Sequence, residues 1–218
     1  MPSSPTISAK PLPRGPHHLS RDEVAESQRA RLLTAFTSLL AEGGYAAVTI
    51  GSLAERAGVS RGAFYSLFDD KEDCLLAAYA GFAANLLAAM TTDVAADPDW
   101  ETFVAETLGA YLSGLEGDRV AARAFIVEMD SAGKVARARR REASHGFAAM
   151  LAERHALMRK RNPALGELPE SAFRGLVFGV RELIREELER QDERALTGLM
   201  PEILTWATAM IAGAPRDA

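Results

Sequence analysis

A serine between two glycines stands at Gly58-Val59-Ser60-Arg61-Gly62, the G-x-S-x-G spacing of a nucleophile held on a strand-to-helix elbow. Such an elbow needs a strand before it, and residues 54–57, AERA, read as helix instead. With no parallel sheet beneath it, Ser60 has no scaffold for an oxyanion hole. A small hydrolase using this serine is therefore the minor alternative, and a helix N-cap is the preferred reading. Histidine offers little more. His17 and His18 lie in a Pro/Ser-rich N-terminal stretch, while His145 and His155 sit roughly 2.8 turns apart on one predicted helix, on neighbouring but different faces. No Cys or His cluster has ligand spacing, so neither a metal nor a cofactor is expected. Cys74 is the only cysteine, which excludes an intrachain disulfide; set amid Leu75, Leu76 and Ala77 it reads as a buried thiol. The basic run Arg137, Arg139, Arg140, Arg141 reads as a solvated helix face, with contact to an anionic ligand or partner as the minor alternative.

A second set of polar residues suits recognition better than catalysis. Ser60, Arg61, Gly62, Ala63, Tyr65 and Ser66 share one outward face of a short predicted helix. An arginine near a helix N-terminus can bond guanine O6 and N7 in a major groove. Gly62 and Ala63 keep that helix slim enough to press on base edges, and the Ser60 and Tyr65 hydroxyls suit phosphate. Thr49 and Lys71 stand at helix N-termini, where amide groups and the helix dipole favour an anion.

Those residues need a frame, and periodicity supplies one. Val24, Leu32, Leu33, Phe36, Leu39 and Leu40 predict an amphipathic helix ending at Gly43-Gly44. A short helix, 50–57, follows, capped by Thr49 and closed by Gly58; Ser60 caps another, 61–67, and Asp70 caps a longer one from Lys71 towards Met90. The turn 57–60 joins two helices of about two turns each, which is helix-turn-helix geometry. Leu53, Ala54, Ala57, Val59, Phe64 and Phe68 would form its small core. Further helices are predicted at 100–115, 119–130, 134–160, 170–190 and 194–211, broken at Gly117-Asp118, Ser131–Gly133, Asn162-Pro163 and Gln191-Asp192. No period-two alternation is found. The expected fold is all-α, about nine helices, in three parts: an N-terminal arm (1–20), a three-helix helix-turn-helix domain (21–80) and a larger antiparallel helical domain (81–218).

Bulk composition is that of an ordinary globular chain, 48% hydrophobic and 25% charged over 218 residues. No apolar h-region opens it and no apolar run is read as a membrane span, so a cytoplasmic location and no membrane partner are expected. A net charge of −5 argues against binding nucleic acid by bulk attraction. Residues 1–80 carry 8 Lys+Arg against 9 Asp+Glu, so any DNA contact must come from a few placed cations and backbone groups. Lys10 and Arg14 in the arm could follow a minor groove, or do nothing at all.

The sequence TIGSLAERAGVSRGAFYSLFDDKEDCLLAAY (49–79) resembles the DNA-binding domain of the TetR family of bacterial regulators. The resemblance rests on Gly44, Tyr45 and Thr49, the turn AGVSRG, the pair Phe64-Tyr65, Phe68 and Lys71-Glu72. It implies a ligand-responsive, sequence-specific transcriptional regulator and not an enzyme, a repressor by the family's commoner habit. Base contacts would lie near Arg61, Gly62 and Ala63, and phosphate contacts near Thr49, Ser60, Tyr65 and Lys71. Asp69-Asp70 departs from the family's usual uncharged pair and brings negative charge close to Lys71. The partners it implies are a palindromic double-stranded operator, a small apolar effector and a second copy of the chain. An effector pocket in the second domain would use Phe103, Tyr111, Phe125, Met129, Phe147 and Met150, with Glu128 as its polar group; by periodicity alone the same residues read as core. The last two helices would form the dimer interface through Phe173, Val177, Val180, Ile184, Leu199, Ile203 and Trp206, with Gly175 and Gly179 permitting close crossing. The alternative is that these stripes face the chain's own core. A helical dimer serving only as a protein-interaction module is the other reading.

Overall fold

The computed structural model describes residues 20–92, 99–190 and 194–212. Of the N-terminal arm only Ser20 falls among them, so Lys10, Arg14, His17 and His18 lie outside the described residues.

Among the described residues the chain is helical throughout, with nine α-helices and no strand. Ser20 opens α1 (Arg21–Ala47) with a capping box: its hydroxyl accepts from the Glu23 amide while the Glu23 carboxylate accepts from the Ser20 amide. The helix was expected to end at Gly43-Gly44. It continues instead for one more turn past a kink, because Gly44 takes φ 71°, a left-handed conformation open to a residue without Cβ. Thr49 caps α2 (Ile50–Ala57), and Gly58 closes it at φ 63°. Ser60 accepts from the Ala63 amide and caps α3 (Arg61–Tyr65), shorter than the predicted 61–67. Asp70 accepts from the Asp73 amide at the start of α4 (Lys71–Thr92).

Two cores follow from the apolar stripes. In the first, Leu32, Phe36 and Leu40 of α1 meet Leu53, Phe64 and Leu75, all fully buried. Each such side chain contributes about 1.5–3 kcal/mol relative to an exposed one. In the second, α5 (Trp100–Gly117), α7 (Lys134–Arg161), α8 (Glu170–Glu189) and α9 (Met200–Ala212) pack around Leu112, Leu115, Ile184 and Leu196. The expected boundary between residues 80 and 81 falls within α4, which runs on unbroken. The segment predicted as one helix over 119–130 is irregular: a turn of α6 (Arg119–Ala122), a π turn (Arg123–Val127) and a 3₁₀ turn (Glu128–Ala132), stopped by Gly133 at φ 110°. Its residues Ala121, Ala124, Phe125, Met129 and Ala132 complete the first core against α1. The last predicted helix likewise begins as a 3₁₀ turn (Leu196–Leu199) before α9.

The reading that no stretch could span a membrane needs correction. By length and composition alone α4 qualifies, at a mean hydropathy of 1.6 over Lys71–Thr91. In this fold it gives Cys74, Leu75, Ala78 and Tyr79 to the first core, and its C-terminal half walls the cavity described below.

Candidate functional site

Two features stand out, one at each end of α4. At its N-terminus is the helix-turn-helix. Leu53, Ala54, Ala57, Phe64 and Phe68 are buried, while Val59 is only partly so. Arg31 of α1 fixes the turn from behind, donating Nη1 to the carbonyls of Ala57 and Gly58 at 2.9 and 3.3 Å. Arg56 pairs with Glu42 at 2.7 Å and ties α2 to α1. With its interior fixed, α3 presents Ser60, Arg61, Gly62 and Tyr65 to solvent; Tyr65 is 60% exposed, its ring set edge-on to Phe64 at 5.6 Å. Ala63 is half-buried beneath them. The Ser60 hydroxyl accepts from the Ala63 amide, which leaves its proton to donate, whereas the Thr49 hydroxyl accepts from the Ser52 amide and donates to the Ser52 hydroxyl at 3.1 Å.

Lys71 departs from the expected role of a free phosphate cation. Its ammonium donates to the carbonyls of Val48 at 3.0 Å and Tyr45 at 3.2 Å, and lies 4.0 Å from the centre of the Tyr45 ring. The last turn of α1 holds no basic residue, so Lys71 supplies the cation that the helix C-terminus favours. Two of its three donors are thus committed to positioning the α1–α2 junction. Gly51, which sequence reasoning did not single out, lies directly under Arg61: a methyl there would sit 2.9 Å from Nη2. Only glycine lets the guanidinium rest in that place, a condition no single-sequence signal reveals.

Beyond the first core, α4, α5, α7, α8, α9 and the π turn line a half-open cavity of about 720 Å³. That volume suits a small organic ligand. Four of the seven expected pocket residues line it: Tyr111, Phe125, Phe147 and Met150. The other three do not. Phe103 faces away, packed on Trp100 at 5.5 Å with the Arg154 guanidinium over its ring. Met129 is fully buried against α1. Glu128 pairs with Arg123 at 3.6 Å, its carboxylate turned to the Gly44 kink. The change from π to 3₁₀ winding after Val127 turns residues 128 and 129 off the wall that Phe125 and Ile126 form. Polar lining comes instead from Thr107, Glu142, Ser144 and Arg181, which the sequence reading did not choose, and from Arg139, which it read as part of a solvated face.

The expected dimer residues need a larger correction. Phe173, Val180, Ile184 and Ile203 are buried in the chain's own core, and Val177, Val180 and Ile203 line the cavity. The second core and the cavity wall use the stripe that the sequence reading assigned to a partner. Leu199 and Trp206 are partly exposed, and Trp206 reaches within 3.7 Å of where a Gly179 Cβ would stand. Gly175 faces open space.

Side-chain to backbone bonds link the two features. Arg123 of the π turn donates to the Ala41 carbonyl of α1 at 3.4 Å and to the Leu188 carbonyl of α8 at 3.1 Å. Phe125 belongs to both sites: it packs on Tyr79 and Phe82, completes the core against α1 and faces the cavity.

Comparison with known proteins agrees with this arrangement. Residues 32–78 match the sequence profile described as bacterial regulatory proteins of the tetR family. The chain is 29% identical over 175 residues to SrpR, an HTH-type transcriptional regulator of Pseudomonas putida, covering 78% of this chain and 80% of that one. It is 36% identical over 77 residues to YerO, an uncharacterized HTH-type transcriptional regulator of Bacillus subtilis; that match covers 34% of this chain and only 27% of the relative. Among solved structures, the transcriptional regulator FadR from Bacillus subtilis in complex with stearoyl-CoA shares the fold, with a TM-score of 0.69 at 20% identity over 85% of this chain and 99% of the other.

Proposed function

Since the chain belongs to the TetR family of bacterial regulatory proteins, we propose that it is a ligand-responsive repressor whose α3 reads an operator and whose cavity takes the effector. In this reading Arg61 contacts base edges, Gly62 and Ala63 allow close approach, and Thr49, Ser60 and Tyr65 hold phosphates. Two copies, paired through the outward surfaces of α8 and α9, would set their reading helices about 34–36 Å apart on successive major grooves of a palindrome. Leu199 and Trp206 remain candidates for that contact; the four buried residues named above do not.

The observation that carries the proposal is that cavity and reading head share a wall. The π turn forms part of the cavity through Phe125 and Ile126 and part of the α1 core through Ala124 and Phe125, while Arg123 bonds both α1 and α8. A ligand that prefers one packing of this segment therefore prefers one placement of α1. That is a population shift, and a thousandfold loss of operator affinity requires about 4 kcal/mol of differential binding. The FadR neighbour, solved with stearoyl-CoA, lends support to an effector with an apolar chain.

Fluorescence anisotropy on fragments from upstream of the protein's own gene, against scrambled DNA and across a salt series, tests the reading. Selective binding that weakens steeply with salt is expected. Equal binding to scrambled DNA, or none to any genomic fragment, would reject the operator-reading function and leave a helical dimer that serves other contacts.

A further inference from the structure

Among the described residues the cavity wall holds one charge without an ion-pair partner. Arg139, at its rim, pairs with Glu142 at 2.7 Å, and Arg140 pairs with Asp130 at 2.7 Å. Arg181 of α8 lines the cavity itself and is partly buried, and its Nη2 donates to the Ile126 carbonyl at 2.7 Å. Among the described residues no carboxylate lies within ion-pair distance of it. Burial pushes the guanidinium below its ordinary pKa and Arg140 adds to the effect; Asp130, Tyr111 and Tyr79 oppose it without cancelling it. A cation set in an apolar wall with no ion-pair partner among the described residues costs stability, and a bound anion removes that cost. A second polar group waits in the same cavity: the Thr107 hydroxyl, buried and without a hydrogen-bond partner among the described residues. Most of the remaining lining is apolar, including Phe82, Leu86, Met90, Leu108, Phe147 and Met150.

We infer that this cavity takes an amphipathic anion, an apolar body bearing one carboxylate that docks on the Arg181 guanidinium. The inference rests on the proposed reading of the cavity as an effector site. Arg181 offers the planar fork that matches a carboxylate, while the apolar lining takes the chain. The docking also has a route outward. Nη2 now bonds a carbonyl of the π turn, so a carboxylate that competes for it loosens the segment wedged under α1.

Titration calorimetry of the full chain with decanoate, decanol and decyltrimethylammonium decides the matter. Decanoate should bind about tenfold or more tightly than decanol, and the cation most weakly. Arg181→Met should bring decanoate down to decanol's affinity while leaving decanol unchanged. Arg181→Gln, which retains a donor for the Ile126 carbonyl, should do the same and guards against misfolding of the first variant. Equal binding of decanoate and decanol by the unaltered chain, or a preference that survives both substitutions, overturns the anion and leaves the apolar pocket standing. Failure of all three probes to bind overturns the pocket and the anion together.

Discussion

Lys71→Met separates two roles that the sequence cannot distinguish. A lysine that only reaches DNA phosphate can be replaced at almost no cost to the free protein, since exposed substitutions change stability by about 0.5 kcal/mol or less. Here the ammonium makes bonds of 3.0 and 3.2 Å to the carbonyls of Val48 and Tyr45 and stands over the Tyr45 ring. A hydrogen bond from a charged donor is worth about 1.5–3 kcal/mol, and a cation–π contact about 0.5–1 kcal/mol at an exposed site. The junction is only part-buried, so water re-solvates much of what the ammonium leaves, and a net loss of about 2 kcal/mol results. For a chain of this size that lowers the melting temperature by about 4–8 °C. Thermal unfolding followed by circular dichroism measures it. In parallel, operator affinity should fall on every sequence alike because α2 and α3 lose their fixed entry. The salt slope should change by clearly less than the one unit that removal of a phosphate contact produces. An unchanged melting temperature together with a slope flattened by about one would refute the positioning role and restore the phosphate contact.

Three further outcomes are expected. Gly51→Ala should leave the fold intact but move the Arg61 guanidinium, whose Nη2 would lie 2.9 Å from the new methyl; in anisotropy titrations it should lose operator preference as Arg61→Gln does, and a preference kept by both would show that Arg61 does not read bases. Burial first, with the Asp73 charge second, pushes the Cys74 thiol up to about 12 from an ordinary 9.0. Its contribution to stability is therefore complete below pH 9 and lost as pH rises towards 12, and at pH 8 a disulfide exchange reagent should leave the folded chain unmodified yet label it fully in denaturant. Burial, helped by the Arg159 charge, holds the His155 pKa below its ordinary 6.5 between the rings of Trp100 and Phe173. Because the folded value is depressed, this stabilisation is present above pH 6.5 and falls away as pH drops through the lowered pKa. Denaturant midpoints measured from pH 7 to pH 5 should decline less steeply for His155→Phe, and an identical decline would remove His155 as the source.

Local chemistry made the first domain legible. Thr49, Gly58, Ser60 and Asp70 each have a residue type that ends or starts a helix by a bond within four residues, so their roles depended on nothing distant. The Gly44 kink was misread as an end for the same reason: a glycine signals a left-handed residue, but whether the helix resumes beyond it depends on neighbours such as Glu128, over eighty residues away. The irregular winding over 119–132 left no such signal. Its π turn is stabilised by long-range bonds, Arg123 to Ala41 and Leu188, and Arg181 to Ile126, and an unbroken run of helix-forming residues reads simply as α-helix.

The same limit explains why the pocket and the dimer face were confused. Apolar periodicity shows that one face of a helix must be covered, without saying by what. On α8 the stripe of Phe173, Leu176, Val177, Val180 and Ile184 satisfies a partner chain, an internal core and a cavity wall equally well, and the fold gives it to the last two. What distinguishes a wall from a core is the tolerance of a polar group on it. A filled core excludes an unpaired charge, whereas a cavity that takes a charged ligand retains one. Arg181 follows Val180 directly and falls one turn after Val177, at the edge of the apolar stripe of α8. Of the charged residues on α8, Arg181 is the one that lines the cavity, and there it marks a wall.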